Sequence, residues 1–298
     1  MTSNQGIISR GNNNTFSTIA IGEKAQVFTT APLLSAEPAA EADIPWDLGI
    51  VTILSEELRS VIDALTLHRH KTPSGLYFYQ GEHTVSDATL RIVATQTQSQ
   101  GQRSTMAALE HLRRHYNPRL WALVGIAGGI HDDHAHIGNV IVSTDVVYYE
   151  NRKINPQETR RRGEHRQAPA HIVHAVNAYF TDYGTPARIN GQMTAHADEQ
   201  YEVYPGVIGS GEAVIADRAS DIRTYLTAYH EKVLAVDMEA GGLSQYWQEN
   251  SVHGTANPGW IVIRGISDNA DQHKGHSHHE LASRNAAHVL SRLLPYLC

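Results

Sequence analysis

From Trp46 to the C-terminus, short apolar runs rich in β-branched residues alternate with longer stretches of helical period, and this alternation points to an α/β layered fold. The runs at 48–54, 90–95, 120–126, 139–148, 233–236 and 260–264 are expected to be strands. Helices are expected at about 56–67, 102–115, 170–180, 218–229, 239–248 and 279–294. The last places Leu281, Val289, Leu290, Leu293 and Leu294 on or near one face, so it should pack on the sheet. No internal repeat or clean break follows Trp46. Residues 46–298 therefore read as one domain, although such a length would also allow two. Residues 1–45 differ, being rich in Asn, Ser, Thr and Gly over 2–17 and in Ala, Glu and Pro over 31–43. They read as a tail or appended segment, in which Ile19-Ala20-Ile21 and Val27-Phe28 are the places for a short edge strand or a partner contact.

Composition excludes several classes. With 24 Lys+Arg against 31 Asp+Glu the formal charge is −7, the wrong sign for a general nucleic-acid coat. The single cysteine, Cys298, excludes an intrachain disulfide and a thiolate metal cluster within one chain, which fits a reducing compartment. No run approaches the ~20 consecutive apolar residues of a membrane span, and the first thirty residues lack the apolar block of a secretory signal. A soluble, cytoplasmic protein is expected, with no membrane or nucleic-acid partner.

Ligands in layered α/β folds gather at the carboxyl ends of strands, so the residues after each run are the ones that bear on chemistry. Leu54-Ser55-Glu56-Glu57 puts acids where a helix opens, a position that acids also favour for the helix dipole alone. Val124-Gly125-Ile126-Ala127-Gly128-Gly129 lets a ligand or another chain approach the backbone closely. It has neither the G-x-G-x-x-G spacing of a dinucleotide site nor the Lys-Ser/Thr of a P-loop. In Ala235-Val236-Asp237-Met238-Glu239 an apolar run meets two acids around a methionine. A carboxylate there can accept two hydroxyl hydrogen bonds from a ribose, with the methionine as a soft floor, or Glu239 can simply begin a helix. Ile263-Arg264-Gly265-Ile266-Ser267-Asp268 carries an arginine within an apolar strand, which calls for an acid or a polar ligand, and ends on Asp268, a candidate general acid.

Together these edges, in the order Ser210-Gly211-Glu212-Ala213-Val214-Ile215, then Val236-Asp237-Met238-Glu239-Ala240, then Arg264-Gly265-Ile266-Ser267-Asp268-Asn269-Ala270-Asp271, resemble the nucleoside phosphorylase and nucleosidase superfamily. The likeness is nearest to methylthioadenosine/S-adenosylhomocysteine nucleosidases and related purine N-ribosyl hydrolases, and runs from about Trp46 to Leu297. It implies a single-domain three-layer sandwich around a mixed, partly barrel-like central sheet.

The resemblance also implies roles. Asp268 would protonate the leaving purine, removing the charge that builds on the base as the N-ribosidic bond breaks. Glu239 would accept the ribose 2′ and 3′ hydroxyls and Met238 would pack on the sugar. Val214 and Ile215 would border the purine, and Ala127, Gly128 and Ser267 would line the pocket. Glu57 and Arg264 would hold an attacking water, and since Glu57 would repel phosphate, hydrolysis is expected in preference to phosphorolysis. Two departures stand out. Ile126 occupies the position of a small hydroxyl residue, so one hydrogen-bond donor is lost, for which Ser99 or Gln100 is a replacement. The 5′ side, apolar in thioether-cleaving relatives, is matched by Arg160, Arg161, Arg162 and Arg166, and by His273, Lys274 and His278. If these line the 5′ pocket it is cationic and suits a 5′-phosphorylated purine such as AMP or ATP, and if not they are a solvated basic surface.

Histidines and acids at His273, His276, His278 and His279, and from His131 through His136, raise a metal site. Neither cluster has the i, i+4 spacing of a strong metal motif, so no metal or other cofactor is expected. The alternatives are a phosphate-dependent purine nucleoside phosphorylase, and a non-catalytic nucleoside-binding or partner-controlled effector on the same fold. Retention of Glu57, Glu239, Arg264 and Asp268 together speaks against lost catalysis. The resemblance further implies a homo-oligomer, and residues 1–45 offer a place for a regulatory protein.

Overall fold

The computed structural model describes residues 46–85, 88–190, 200–251, 259–272 and 275–298. The expected N-terminal segment 1–45 lies outside the described residues, as do His273 and Lys274.

Among the described residues the strands are β1 (Leu48–Thr52), β2 (His68–Lys71), β3 (Tyr77–Val85), β4 (Ala88–Gln96), β5 (Leu120–Gly129), β6 (Val140–Tyr148), β7 (Arg152–Ile154), β8 (Thr159–Arg161), β9 (Glu164–Gln167), β10 (Ala187–Asn190), β11 (Gln200–Ser210), β12 (Val233–Asp237) and β13 (Gly259–Asp268). The helices are α1 (Ser55–Leu65), α2 (Gln102–His115), α3 (Ala170–Tyr183), α4 (Asp221–Tyr229), α5 (Ala240–Asn250) and α6 (His279–Leu297).

Five strands close on themselves. β6 runs antiparallel to β13, β13 parallel to β5, β5 antiparallel to β12, β12 parallel to β11, and β11 parallel to β6 again. From β5 the sheet continues outward through β1, β4, β3 and β2. The architecture is thus a mixed sheet, part barrel and part open wing. α1, α3 and α6 pack together on one side and α2 with α5 on the other. Every residue of β1 and β13 is buried, as expected of strands covered by helices on both faces. The core centres on Trp260, Ile261, Val262 and Ile263 of β13 with Leu290, Leu293 and Leu294 of α6. Each such side chain contributes on the order of 2 kcal/mol by leaving water.

All six expected strands and all six expected helices are present, with shifted ends. β13 continues four residues past Arg264 to Asp268, so the arginine lies within the strand and the aspartate ends it. α4 starts at Asp221, because the Ser220 Oγ accepts a hydrogen bond from the Arg223 N–H at 3.2 Å and fixes the first turn there. β11 had no counterpart in the sequence reading. Pro205 and Gly206 interrupt its apolar run, and its pairing with β6 changes register between Pro205 and Val207, where a proline is tolerated.

Candidate active site

Four strand ends and one loop converge on a single cavity of about 260 Å³. β1 leads into α1 and delivers Glu57, β5 ends in Ile126, Ala127 and Gly128, β12 runs into Met238 and Glu239, and β13 ends in Ser267 and Asp268. The loop after β11 adds Ala213, Val214 and Ile215.

Strand pairing sets the spacing of the principal acids. Gly128 stands in register with Val236 of β12 on one side and with Asp268 of β13 on the other. Neighbouring strands lie about 4.8 Å apart, so Asp268 and the end of β12 face one space from roughly 10 Å apart, a span that holds a nucleoside. A register shift between Ile266 and Asp268 re-aims the last residues of β13 into this space. The Ser267 Oγ donates to the Asp268 Oδ2 at 2.9 Å and the Ala270 N–H donates to Oδ1 at 2.9 Å, which holds the carboxyl in place. A Cβ at Gly128 would come within 3.1 Å of the Asp268 Oδ1, so glycine keeps that side of the acid open.

Glu57 has two tasks. Its Oε2 accepts the N–H of Ile53 at 2.6 Å and of Leu54 at 2.8 Å, which caps the start of α1, while Oε1 accepts the Ile126 N–H at 2.9 Å. Three backbone bonds pin the carboxyl but leave Oε1 room for another donor. Gly125 permits this arrangement, since a Cβ there would lie 2.3 Å from the Glu57 Oε1 and 2.7 Å from the Arg264 Nη1.

Behind the cavity wall, Arg264 is fully buried. Its Nε and Nη2 donate to the Asp237 Oδ2 at 3.0 and 2.6 Å, and Nη2 also donates to the Glu239 Oε2 at 3.0 Å. Nη1 has no hydrogen-bond partner among the described residues. One guanidinium therefore serves three buried acids, Asp237, Glu239 and Glu57. Burial raises the Glu57 pKa above its ordinary value, against the lowering effect of Arg264 and the three backbone donors. Burial also raises Glu239 to about 7, opposed by Arg264 and assisted by Asp237.

The sign of the resulting pH dependence is fixed. Glu239 holds its proton more tightly folded than unfolded, so its contribution is present in full below the ordinary value of 4.5 and is lost as pH rises through about 7. The thermal midpoint is expected to fall between pH 5 and 8, and Glu239→Gln to flatten that slope. A midpoint rising over this range in the native chain but not in the variant would contradict the assignment.

Of the sequence-derived residues, Glu57, Ala127, Gly128, Val214, Ile215, Met238, Glu239, Ser267 and Asp268 border one cavity. Arg264 does not line it and reaches it only through its ion pairs. Of the residues expected on the 5′ side, none of Arg160, Arg161, Arg162, Arg166 or His278 lines this cavity. Arg160 pairs with Glu158 at 2.5 Å, Arg161 with Asp221 at 2.8 Å, and Arg166 with Glu164, Gln245 and Gln248. Glu158 and Glu164 of the same loop and Asp221 of α4 thus answer three of the four arginines. His276 and His279 border the cavity instead, with the His279 Nδ1 3.3 Å from the Glu56 Oε1. Gln100 also lines it, whereas the Ser99 N–H is held by the Ser104 Oγ. Among the described residues no three His, Cys, Asp or Glu side chains gather to hold a metal ion. Nor is any described helix long and apolar enough to cross a membrane.

Asp237 is the member that sequence reading left without a role. It accepts from the Ser210 Oγ at 2.7 Å and from the Ala240 N–H at 3.1 Å while binding Arg264. The buried arginine two strands away in the sheet was the signal that an acid must face it.

The same architecture occurs in solved nucleosidase structures. The Helicobacter pylori MTAN-D198N mutant with 5′-methylthioadenosine matches with a TM-score of 0.63 at 16% identity, over 84% of this chain and 99% of that one. The Streptococcus pneumoniae 5′-methylthioadenosine/S-adenosylhomocysteine nucleosidase gives 0.63 at 18%, over 85% and 100%, and futalosine hydrolase of Helicobacter pylori 0.61 at 16%, over 85% and 97%. Among curated sequences, the ATP nucleosidase Cap17 of Escherichia coli is 25% identical over 282 residues, covering 89% of this chain. The chain spans about half, 54%, of that relative's length. A family model covers residues 47–296, from the first strand through the last helix, and by that match the chain belongs to the phosphorylase superfamily.

Proposed function

We propose that the chain is a purine N-glycosidase that hydrolyses the N-ribosidic bond of a nucleoside or nucleotide and releases the free base, adenine preferred. The observation that carries this reading is the single cavity holding Asp268 on one side of Gly128 and Glu239 on the other, with Glu57 at the end of β1. Val214 and Ile215 border the purine, and Met238 packs on the sugar. Each oxygen of the Glu239 carboxyl accepts one bond within the protein, from Gly101 N at 2.9 Å and from Arg264 at 3.0 Å, and keeps capacity for one ribose hydroxyl.

In the reaction, a water oxygen attacks C1′ and the C1′–N9 bond breaks, its electron pair leaving with the base. Asp268 gives its proton to N7 of the departing purine. Glu57 takes the proton from the water, so one water is consumed and one base and one sugar are released. Arg264 acts through others, holding Glu239 and Asp237 and placing its unspent Nη1 beside Glu57. Glu57 favours water over phosphate, because a carboxyl pinned where phosphate would sit repels it.

A 5′-phosphorylated substrate is part of this reading, supported by the curated ATP nucleosidase relative. His276 and His279, not the arginine loop, are the basic side chains nearest such a group in the cavity. Cytoplasmic location, assembly into a homo-oligomer and control by a protein bound to residues 1–45 complete the proposal. Chromatography of reactions with adenosine, methylthioadenosine, S-adenosylhomocysteine, AMP and ATP tests it. Adenine is expected, fastest from the phosphorylated substrates. Base release from the thioether nucleosides alone would overturn the nucleotide preference, and no release from any would overturn the glycosidase.

A further inference from the structure

A second cavity, about 800 Å³ in volume, opens between the β2–β3 hairpin and α2. It shares a turn with the first, since Gln98 and Ser99 line one and Gln100 the other. Its wall carries Arg69 from β2, Arg103 from the first turn of α2 and His111 two turns further on, and contains no Asp or Glu. In a chain of net charge −7 such a lining is a local reversal of sign. Arg69 lies over the Tyr77 ring, 5.9 Å from its centre, and neither Arg69 nor Arg103 has an acidic partner among the described residues. Their neighbours differ, for Arg113 and Arg114 on the same helix both bind Glu110.

One further polar group stands open on this wall. Thr97 borders the cavity, and its Oγ1 is buried without a hydrogen-bond partner among the described residues.

We propose that this second cavity binds a phosphate or polyphosphate group, gripped by Arg69 and Arg103 at the start of α2. Guanidinium forks match phosphate oxygens bidentately. The group is either the tail of a nucleotide whose base lies in the first cavity or a separate phosphorylated effector. The first source rests on the glycosidase reading, and the second does not.

Calorimetric titration of the full chain with inorganic tripolyphosphate is the test. Arg69→Gln and Arg103→Gln are each expected to weaken binding about tenfold and the double substitution about a hundredfold. Base release from an unphosphorylated nucleoside stays unchanged in all three. The source is read from competition. A substrate tail makes tripolyphosphate compete with the nucleotide, and Arg69→Gln raises the nucleotide KM without lowering kcat. A separate effector lets tripolyphosphate bind to chain already saturated with nucleotide. Absence of binding to the native chain, or equal binding to the native chain and the double variant, overturns the proposal. Titration reads binding without turnover, so its failure is distinct from failure of the glycosidase.

Discussion

Asp268→Asn is expected to lower kcat for base release by about three orders of magnitude, the usual scale for a lost general acid, while KM changes only a few-fold. The amide carries no transferable proton, so the purine would leave with its charge uncompensated. It still accepts the Ala270 N–H through its carbonyl oxygen, so the end of β13 keeps its geometry and the thermal midpoint stays within a few degrees. Steady-state kinetics beside a melting curve separate the two effects. A variant within tenfold of the native rate would remove Asp268 from the chemistry, and one that melts far lower would show a structural role instead.

Arg264→Met is expected to have the largest effect on stability. Methionine replaces the aliphatic stem but leaves Asp237, Glu239 and Glu57 buried without their cation. Breaking a buried ion pair from one side costs on the order of 3–5 kcal/mol, which for a domain of this size lowers the melting midpoint by roughly 6–20 °C. The deficit should shrink at pH 5 compared with pH 8, because burial raises the pKa of Glu57 and Glu239, and once protonated they no longer need the guanidinium. A midpoint within about 2 °C of native at pH 8, or a deficit independent of pH, would show that the three acids do not rely on this arginine.

These two residues also show what the sequence makes legible. Asp268 and Glu239 stand at the ends of apolar runs, where the layered fold puts ligands, and the motif order carried them into one site. Gly128 then proved to be the residue between them. The partner of Arg264 was not legible, because the register of β12 against β5, set by pairing alone, brings Asp237 to it. The pairing within the arginine-rich loop was not legible for a related reason. Counting charge in 160–166 cannot show that Glu158, Asp221 and Glu164 answer most of it from the same surface. The cationic cavity was missed conversely, because Arg69 and Arg103 are far apart in sequence and border one space only in the folded chain. β11 escaped notice because Pro205 breaks the periodicity on which recognition of a strand depends.

Chemically, the site reads as a compromise between burial and charge. Three acids line a small cavity with one arginine behind them, and the excess acid is accommodated by raised pKa values at Glu57 and Glu239. A carboxyl that titrates near 7 accepts ribose hydroxyls on both oxygens, and most strongly, when ionised, so substrate affinity should improve as pH rises through the same range in which stability declines.

Quantifying products from AMP in buffer free of inorganic phosphate tests the central claim most directly. Adenine and ribose 5-phosphate in equal amounts, at a rate that added phosphate does not raise, is the expected result. No turnover until phosphate is supplied, with the phosphate found on C1 of the sugar, would contradict hydrolysis by Glu57 and Asp268.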